Sequence, residues 1–354
     1  MKRVCMLGTS SESKGGIGTV VRGFLEDISL EEYEFAHIVT HRDGNFAAKA
    51  FLAGRAYAEC FSSMVLDNFS LVHVHSAFGA SFTRSIPFIR LAESRGIPVV
   101  NHLHADDWGA FYGAASSSKR KLIADTYRRC SKVITLSQEW AETLGAILPN
   151  RQIAVLENFT PIFEEGFWPD CSSKTVVFMS RLERIKGCNI LPEICEEVVS
   201  HIPGVRFLIC GEGSMRDELI REMQERRVEG SVRFLGWVES KRKMDVLKQS
   251  SLFLLPSYGE GMPMCILEAM GLGLPVVSTS VGGVPQIVEN GVNGFIAEPG
   301  DARGIAHAII EIFADENEYS SMSRQSKARA ACHSTRNYAK RLEAIYNEVL
   351  EDGR

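Results

Sequence analysis

The 354-residue sequence lacks the features that mark several large classes of protein. Its nine cysteines form no CxxC pair, so zinc sites and thioredoxin-like chemistry are poorly supported. Lys and Arg number 39 against 44 Asp and Glu, and the net charge of −5 argues against a nucleic-acid-binding protein. No run of about 18 uncharged apolar residues occurs, so we predict no membrane-spanning helix.

The surroundings of the cysteines and the first residues indicate the compartment. Several cysteines lie in apolar runs such as RFLICG, where a reduced thiol serves as a small hydrophobic side chain. Such use is typical of a reducing environment. The opening MKRVCMLGTS has an apolar run that stops at Gly8, which is too short for a signal peptide and predicts a buried strand. We therefore expect a cytoplasmic protein.

Short β-rich runs alternate with longer amphipathic segments, and this alternation occurs twice. In the first half we predict strands at Arg3–Leu7, His37–Thr40, Leu71–His75, Val99–Leu103, Val133–Leu136 and Ile153–Leu156. In the second half we predict strands at Thr175–Met179, Arg206–Cys210, Val232–Leu235, Leu252–Leu255 and Val276–Ser278. Near-continuous apolar runs are typical of parallel strands covered on both faces. The pattern predicts an α/β protein with two Rossmann-like, doubly wound domains.

The segment 157–174 separates the two domains, because it carries two prolines and a Ser pair without a sustained helical or strand period. We predict domains over 1–165 and 170–334. The apolar stripe within 335–354 predicts a C-terminal helix, which we expect to cross back to the first domain. Two such domains are expected to face each other across a cleft, where ligands usually bind.

The segment PSYGEGMPMCILEAMG predicts an anion site at the start of a helix. A glycine-containing loop follows strand Leu252–Leu255, and Pro263 suits the first turn of a helix over 263–270. The first amides of that helix lack intrahelical partners and carry the positive end of its dipole, so they can hold a diphosphate.

Glu260 and Glu268 bracket this helix start. Their eight-residue spacing covers about 12 Å of helix and returns close to the same face. Ionised carboxylates accept hydrogen bonds from paired hydroxyls, as in the hexose and the ribose of a nucleotide sugar. The alternative is a pair of surface glutamates, since negative charge is favoured near a helix start.

Cations and a glycine turn stand at the ends of the neighbouring strands. In VVFMSRLERIKG, Arg181 and Lys186 can neutralise a diphosphate without a metal ion, although two solvated cations on a loop are the alternative. In FLICGEGSMRDEL, Gly211 and Gly213 resemble part of a dinucleotide fingerprint. The third glycine is replaced by Arg216, so an NAD site is poorly supported.

Two features of the first domain also suggest ligand contact. In GTSSESKGGIGTVVRGF, Gly15, Gly16 and Gly18 open a helix, so its amides can approach a phosphate or a sugar, unless the segment is a plain surface loop. Two HxH pairs each end a predicted strand: His73 with His75, and His102 with His104. Alternate residues share a strand face, but the pairs lack supporting acidic or cysteine ligands, so we predict no metal site.

The chain after His104 is rich in aromatic and basic residues. Trp108 and Tyr112 stack on acceptor sugar rings or anchor the core, and both interpretations stay open. The basic cluster that follows consists of Lys119, Arg120, Lys121, Arg128 and Arg129. It is either a solvated helix face or a contact with anionic lipid headgroups or a pyrophosphate-linked acceptor.

The segment from Glu260 to Glu268 resembles the EX7E motif of the family 4 retaining glycosyltransferases, and VSTSVGGVPQIVENGVNGFIAEPGD resembles the stretch that follows it in that family. The resemblance covers nearly the whole chain. It implies a GT-B fold, a second domain that binds the donor and a first that binds the acceptor, no metal and no cofactor. It also implies that Glu260 touches the transferred sugar, that Glu268 touches the ribose, and that His104 lies near the reaction centre.

The resemblance assigns the remaining residues by position. The donor is expected against Gly16, Arg181, Lys186, Gly211, Val238, Glu260, Gly261, Met262, Pro263, Met264 and Glu268. Catalysis is expected from His104, Glu260, Arg181 and Lys186. The acceptor is expected against Gly15, His75, Trp108 and Tyr112. His102 is expected to be structural.

The implied activity is a retaining, metal-independent transfer of a hexose or N-acetylhexosamine from a UDP-sugar, or next a GDP-sugar. HVHSAFGASF and HLHADDW resemble members that build polysaccharides or lipid-linked glycans. The resemblance therefore implies a saccharide or lipid-linked glycan as acceptor, and peripheral contact at the inner membrane face. The family implies a front-face, ion-pair-like route. The alternatives are a nucleotide-sugar epimerase of the same fold, a nicotinamide-dependent oxidoreductase and a non-catalytic sugar-nucleotide sensor.

Overall fold

The computed structural model describes every residue except 14, 43, 45, 67, 105–107, 162–165 and 353–354. The predicted end of the first domain at 165 and the ADD of HLHADDW lie outside the described residues. The chain forms two compact units. The first unit is Met1–Asn158 with Thr335–Arg354, and the second is Phe159–Ser334.

The first unit is built on one parallel sheet. Its strands are β1 (Lys2–Thr9), β2 (Tyr33–His41), β3 (Phe69–Ser76), β4 (Val99–Leu103), β5 (Lys132–Thr135) and β6 (Ile153–Val155). They lie in the order β2-β1-β3-β4-β5-β6, with every neighbouring pair parallel. Its helices are α1 (Gly16–Glu26), α2 (Phe46–Leu66), α3 (Ala80–Ser94), α4 (Trp108–Gly113), α5 (Ser117–Arg128), α6 (Gln138–Leu144) and, from the chain end, α14 (Thr335–Asp352).

The second unit repeats this architecture. Its strands are β7 (Thr175–Met179), β8 (Arg206–Cys210), β9 (Val232–Gly236), β10 (Leu252–Leu255), β11 (Val276–Thr279) and β12 (Gly294–Ala297). They lie in the order β12-β11-β10-β7-β8-β9 and are again all parallel. Its helices are α7 (Leu191–His201), α8 (Arg216–Glu225), α9 (Ser240–Lys248), α10 (Met264–Gly271), α11 (Val284–Ile287), α12 (Ala302–Ala314) and α13 (Glu316–Cys332).

Short 3-10 turns complete the two units. They are Asn150–Gln152 in the first unit, and Cys171–Ser173, Arg184–Lys186, Cys188–Ile190 and Glu229–Ser231 in the second. Within the described part of the chain, no helix is both long and apolar enough to cross a bilayer.

The predicted fold class is confirmed, since both units are α/β with doubly wound parallel sheets. All eleven predicted strands are present, and their ends shift by a few residues at most. The prediction missed β12. This strand has only four residues and opens on Gly294, where a Cβ would lie 1.8 Å from the carbonyl oxygen of Val276. A glycine forced by close packing of backbones removes the β-branched signal by which strands are recognised.

Burial follows from covering parallel strands on both faces. Every side chain of β10 is fully buried, and β7 is buried along its length. In the first unit, α14 packs against β3. The stripe that it buries is the predicted one, formed by Tyr338, Leu342, Ile345, Tyr346 and Val349.

Candidate active site

The carboxyl ends of β7 and β10 bring a lysine and a glutamate together. Lys186 lies in the turn Arg184–Lys186 that follows β7, and Glu260 lies in the loop that follows β10. Lys186 Nζ is 2.9 Å from Glu260 Oε1, and Ser257 Oγ donates to the same oxygen at 2.7 Å. Both charged side chains are buried, so the pair is held in one arrangement. Ser257 was not among the predicted site residues.

Close approach of backbones fixes the loop that carries Glu260. A Cβ at Gly282, where φ is +51°, would lie 1.8 Å from the carbonyl oxygen of Glu260. A Cβ at Gly187, where φ is +75°, would lie 1.9 Å from the carbonyl oxygen of Pro256. Only glycine fits either position without moving the backbone. The glycines of SVGGVP and RIKG therefore serve the position of Glu260.

Glu268 is the second carboxylate of the pattern, and it lies within α10. It is buried and forms an ion pair with Lys243 of α9. Each of the two glutamates thus faces its own lysine. Sequence reasoning missed Lys243, because KRK at 241–243 shows three cations and only the packing of α9 selects one of them.

The start of α10 differs in detail from the prediction. Pro263 precedes the helix as its N-cap residue, with φ −73° and ψ 114°, so the first-turn position predicted for it is wrong by one residue. The helix covers Met264–Gly271, and no side chain caps it. The amides of Ile266 and Leu267 donate to the carbonyl oxygen of Pro263 at 3.2 and 3.4 Å, so the amides of Met264 and Cys265 are the ones at this helix start that can meet an anion. Met262 and Met264 are buried beside this end.

Gly211 and Gly213 of the segment GEG follow β8 and pack against the loop that follows β7. A Cβ at Gly211 would lie 1.8 Å from the carbonyl oxygen of Ser180, and one at Gly213 would lie 2.3 Å from that of Leu182. Packing accounts for both glycines, so they are not evidence of a dinucleotide fingerprint. Val238, expected near the base, is buried just after β9.

Arg181 follows β7 at the point where these loops meet. It is exposed, unlike Lys186. Its neighbour Glu183 accepts hydrogen bonds from the backbone amide of Ser214 at 3.0 Å and from the Ser214 hydroxyl at 2.6 Å. These bonds hold the pKa of Glu183 below its usual value. The loops after β7 and β10 therefore carry Arg181, Lys186 and Glu260, and the pair of Glu268 and Lys243 lies on α10 and α9.

In the first unit, the glycine loop opens α1 as predicted. Gly15 is the N-cap residue with φ +109°, and no side chain caps the helix. A Cβ at Gly15 or Gly16 would meet no atom of the described residues within 4 Å, whereas one at Gly18 would lie 2.0 Å from the carbonyl oxygen of Ser13. Packing within the chain explains Gly18. Gly16 borders open space, which leaves room for a ligand.

Four histidines form one buried array at the ends of β3 and β4. His75 Nδ1 lies 2.9 Å from His104 Nε2, and the rings of His102 and His104 lie 4.1 Å apart. Phe24 of α1 packs edge-on against His75 at 4.7 Å. Burial lowers the pKa of His73 and of His104 to about 3, and it lowers the pKa values of His75 and His102 well below the usual value. The array is therefore neutral at physiological pH.

Three of these histidines are close enough for metal ligation to be considered. His73, His75 and His102 each offer one ring nitrogen, and these atoms lie within 4.8 Å of one another. The rings of His73 and His75 are inclined by 25°, and those of His75 and His102 by 29°. Nearly parallel, stacked rings hold their in-plane lone pairs in separate, nearly parallel planes, so the lone pairs converge poorly on one point. A tetrahedral centre is disfavoured for that reason.

Two of the residues predicted to contact an acceptor are buried instead. Trp108 is 2% exposed and belongs to the hydrophobic core, where its ring packs beside Phe111, so it anchors the core and has no free face for a sugar. Tyr112 is half-buried and stacks on Trp108 at 5.3 Å. His75 is 6% exposed and is bonded to His104, and its contact with an acceptor stays a prediction.

Most cations of the basic cluster have partners within the first unit. Arg128 pairs with Asp125 at 3.6 Å, and Arg129 pairs with Glu93 at 2.6 Å. Arg120 donates to two backbone carbonyl oxygens. The other two members are exposed lysines, and the ammonium of Lys119 lies 5.0 Å from the centre of the Phe111 ring. The positive charge available to a partner is therefore smaller than the sequence indicates.

Two family models together account for most of the chain. The model described as "Glycosyl transferases group 1" matches residues 169–329, and "Glycosyltransferase Family 4" matches residues 18–162. The chain belongs to the family 4 glycosyltransferases. The predicted family is confirmed, and so is the GT-B type, which describes a glycosyltransferase with two Rossmann-like domains.

Individual relatives of this glycosyltransferase are distant. It is 25% identical over 301 residues to N-acetyl-alpha-D-glucosaminyl L-malate synthase of Bacillus anthracis, covering 81% of this chain and 76% of that one. It is 29% identical over 300 residues to a subunit of the phosphatidylinositol N-acetylglucosaminyltransferase of Homo sapiens, covering 80% of this chain and 59% of the human one. Anabaena HepE in complex with UDP and glucose has the same fold, with 18% identity, a TM-score of 0.73, and coverage of 98% and 100%.

Proposed function

We propose that this glycosyltransferase moves a hexose or N-acetylhexosamine from a nucleotide diphosphate sugar to a saccharide or lipid-linked glycan, with retention of anomeric configuration. UDP-sugars are favoured as donors and GDP-sugars come next. The observation that carries the proposal is the grouping of Glu260, Glu268, Lys186 and the uncapped start of α10 in the second unit.

The positive groups of this unit suit a diphosphate. Lys186, Arg181 and the first amides of α10 supply positive potential where the leaving group gains charge. Lys186 is buried beside Glu260, so its ammonium is oriented before a ligand arrives. Such preorganisation supports departure of the nucleoside diphosphate without a metal ion.

The two carboxylates suit the two sugars of the donor. Glu268 takes the ribose hydroxyls and Glu260 takes the transferred sugar, as the family resemblance implies. Both carboxylates are already held by lysines, which fixes their orientation. In the first unit, His104 contacts the transferred sugar and Gly16 approaches the donor through its backbone.

Relatives support the donor and acceptor classes. HepE is described with UDP and glucose, and the Bacillus anthracis and human relatives are named as N-acetylglucosaminyl-transferring proteins. The human relative is named for a lipid acceptor, phosphatidylinositol, which supports a lipid-linked acceptor and peripheral membrane contact here. The match covers 59% of that protein, so its acceptor serves as a guide to chemical class only.

A two-stage experiment tests the proposal. The first stage screens UDP-, GDP- and ADP-sugars by thermal shift, since a ligand at 100 times its dissociation constant adds about 2.7 kcal/mol to the free energy of unfolding. The second stage incubates the stabilising donor with saccharide and lipid-linked acceptors and reads the anomeric configuration of the product by NMR. Retention supports the proposal, and inversion of the anomeric centre contradicts it. Interconversion of the donor at C2 without transfer identifies an epimerase instead.

A further inference from the structure

One contact in the first unit bears on whether His104 presents an N–H group or a lone pair to a ligand. His75 Nδ1 and His104 Nε2 are 2.9 Å apart, and both side chains are buried. One of these nitrogens must carry the shared proton, because two lone pairs or two N–H groups would repel. The proton's position on this bond decides which nitrogen of neutral His104 is protonated.

The second nitrogen of His75 settles that choice. Within the described residues, His75 Nε2 is buried without a hydrogen-bond partner. If His75 accepted through Nδ1, its proton would sit on Nε2 as an orphaned N–H group, a second one beside that of neutral His102, whose two ring nitrogens are both buried without a partner among the described residues. If His75 donates through Nδ1, only a lone pair is left at Nε2. The second arrangement leaves His104 Nε2 as the acceptor, so the proton of His104 is on Nδ1.

We propose that His75 is a positioning residue that fixes the tautomer of His104, so that His104 meets the transferred sugar as an N–H donor through Nδ1. The inference rests on the proposed function for the sugar that His104 contacts. Strong burial keeps both imidazoles neutral, as their lowered pKa values indicate, so the tautomer is defined. An Nδ1–H donor suits a hydroxyl oxygen that must be held while the glycosidic bond breaks.

The chain offers matched variants for this proposal. His75→Leu removes the donor. His75→Asn restores one, because the amide nitrogen of asparagine lies at the same distance along the side chain as Nδ1. His73 is the control, since it lies on the same strand and is buried but bonds Tyr346 at 2.6 Å. Its ring stacks on that of His75 at 4.4 Å, so His73→Leu removes a neighbour of His75 but neither partner of the bond to His104.

The primary measurement is NMR of the full chain labelled with ¹⁵N-histidine, with His104 assigned through its own substitution. We expect wild type, His75→Asn and His73→Leu to show protonated Nδ1 and bare Nε2 on His104. We expect His75→Leu to show a tautomer mixture. A wild-type His104 protonated on Nε2 overturns the proposal. So does an unchanged signature in His75→Leu. If His75→Leu does not fold, the wild-type signature still decides.

Kinetics give the second readout. His75→Leu is expected to lower kcat about tenfold, as for the loss of one hydrogen bond, while calorimetric affinity for UDP changes little. His75→Asn should recover most of kcat. Equal kcat losses in His75→Leu and His75→Asn would contradict the proposal. The tautomer is read without substrate, so failure to find any sugar transfer would reject the proposed function and leave this measurement intact.

Discussion

Lys186 Nζ lies 2.9 Å from the carboxylate of Glu260, although 74 positions separate the two residues in the sequence. Both are buried in the second unit, and Ser257 donates to the same oxygen. A buried charge pair in this form is sensitive to loss of one partner, because the other charge then stays desolvated. The pair therefore links the geometry of the loop after β10 to that of the turn after β7.

Replacement of the two glutamates should separate binding from catalysis. Glu260→Gln is expected to lower kcat by about 10²-fold, since positive charge grows at the sugar it touches in the transition state. Affinity for the free nucleoside diphosphate should stay near wild type. Glu268→Gln should weaken nucleotide binding and raise KM more than it lowers kcat, because the ribose does not change during the reaction.

Both variants are assayed on one donor by steady-state kinetics, with calorimetry of the nucleotide alone. Loss of nucleotide affinity in Glu260→Gln, with retention in Glu268→Gln, would show that the donor lies the other way round. If neither variant changes kinetics or affinity, the EX7E assignment fails.

Substitutions at Gly282 and Gly291 should distinguish the energetic cost of close packing from that of backbone conformation. Both have positive φ, but a Cβ at Gly282 would lie 1.8 Å from the carbonyl oxygen of Glu260, whereas one at Gly291 would meet nothing within 4 Å. Gly291→Ala should cost about 1 kcal/mol of unfolding free energy, from conformation alone. Gly282→Ala should cost at least about 2 kcal/mol, since overpacking is added to it. Denaturant titration measures both changes in the free energy of unfolding. Equal changes would show that the loop carrying Glu260 moves to accommodate the added Cβ.

Much of the fold could be predicted because apolar runs report parallel strands directly. The apolar runs predicted the first and last residues of β7, β8 and β10 correctly. The signal failed at β12, where Gly294 is required by packing against β11. The predicted helix start at Pro263 is also wrong by one position. A proline suits both the N-cap and the first helical position, and the local sequence does not distinguish the two.

The site was only partly predictable, because its partners come from different elements. Spacing and resemblance indicated Glu260 and Glu268, yet the lysine that each faces depends on how three loops and α9 pack. Trp108 is a residue for which the sequence left two interpretations open. An aromatic residue beside glycines fits a sugar platform and a core anchor equally well, and only its burial decides for the core.

Transfer should not require a divalent metal ion. The expectation follows from Lys186, Arg181 and the uncapped start of α10, which supply the positive potential that a metal gives in other transferases. Activity is measured after dialysis against EDTA and again after addition of manganese or magnesium. Full activity in EDTA is the expected result. Loss of activity that manganese restores would assign the leaving-group role to a metal.

The basic cluster should bind anionic membranes through its two exposed lysines. Lys119 and Lys121 should contribute on the order of 1 kcal/mol each, whereas Arg128 and Arg129 are engaged with acidic partners. Lys119→Glu/Lys121→Glu is compared with Arg128→Gln/Arg129→Gln in liposome sedimentation at low and high salt. The lysine variant should lose more binding, and salt should weaken the wild type. Equal partitioning to neutral and anionic liposomes would make the cluster a solvated face.

The buried histidine array should make the first unit sensitive to acid. Folding lowers the pKa of His73 and His104 from an unfolded value of about 6.5 to about 3, and it lowers the pKa values of His75 and His102 in the same direction. The unfolded chain therefore binds more protons between these limits. The contribution of these histidines to the free energy of unfolding is complete above about pH 6.5. It falls as the pH decreases towards 3, by up to about 1.4 kcal/mol per pH unit for each histidine.

Denaturant titrations from pH 8 to pH 5 measure this slope. His73→Asn should reduce it by up to one histidine's contribution, and a substitution of the exposed His201, which lies in the second unit, serves as the comparison variant. Unfolding of the first unit can be followed through Trp108 and Trp140, which are both buried there. Stability that stays level down to pH 5, or that falls equally in His73→Asn, would show that the array takes up protons without disturbing the fold.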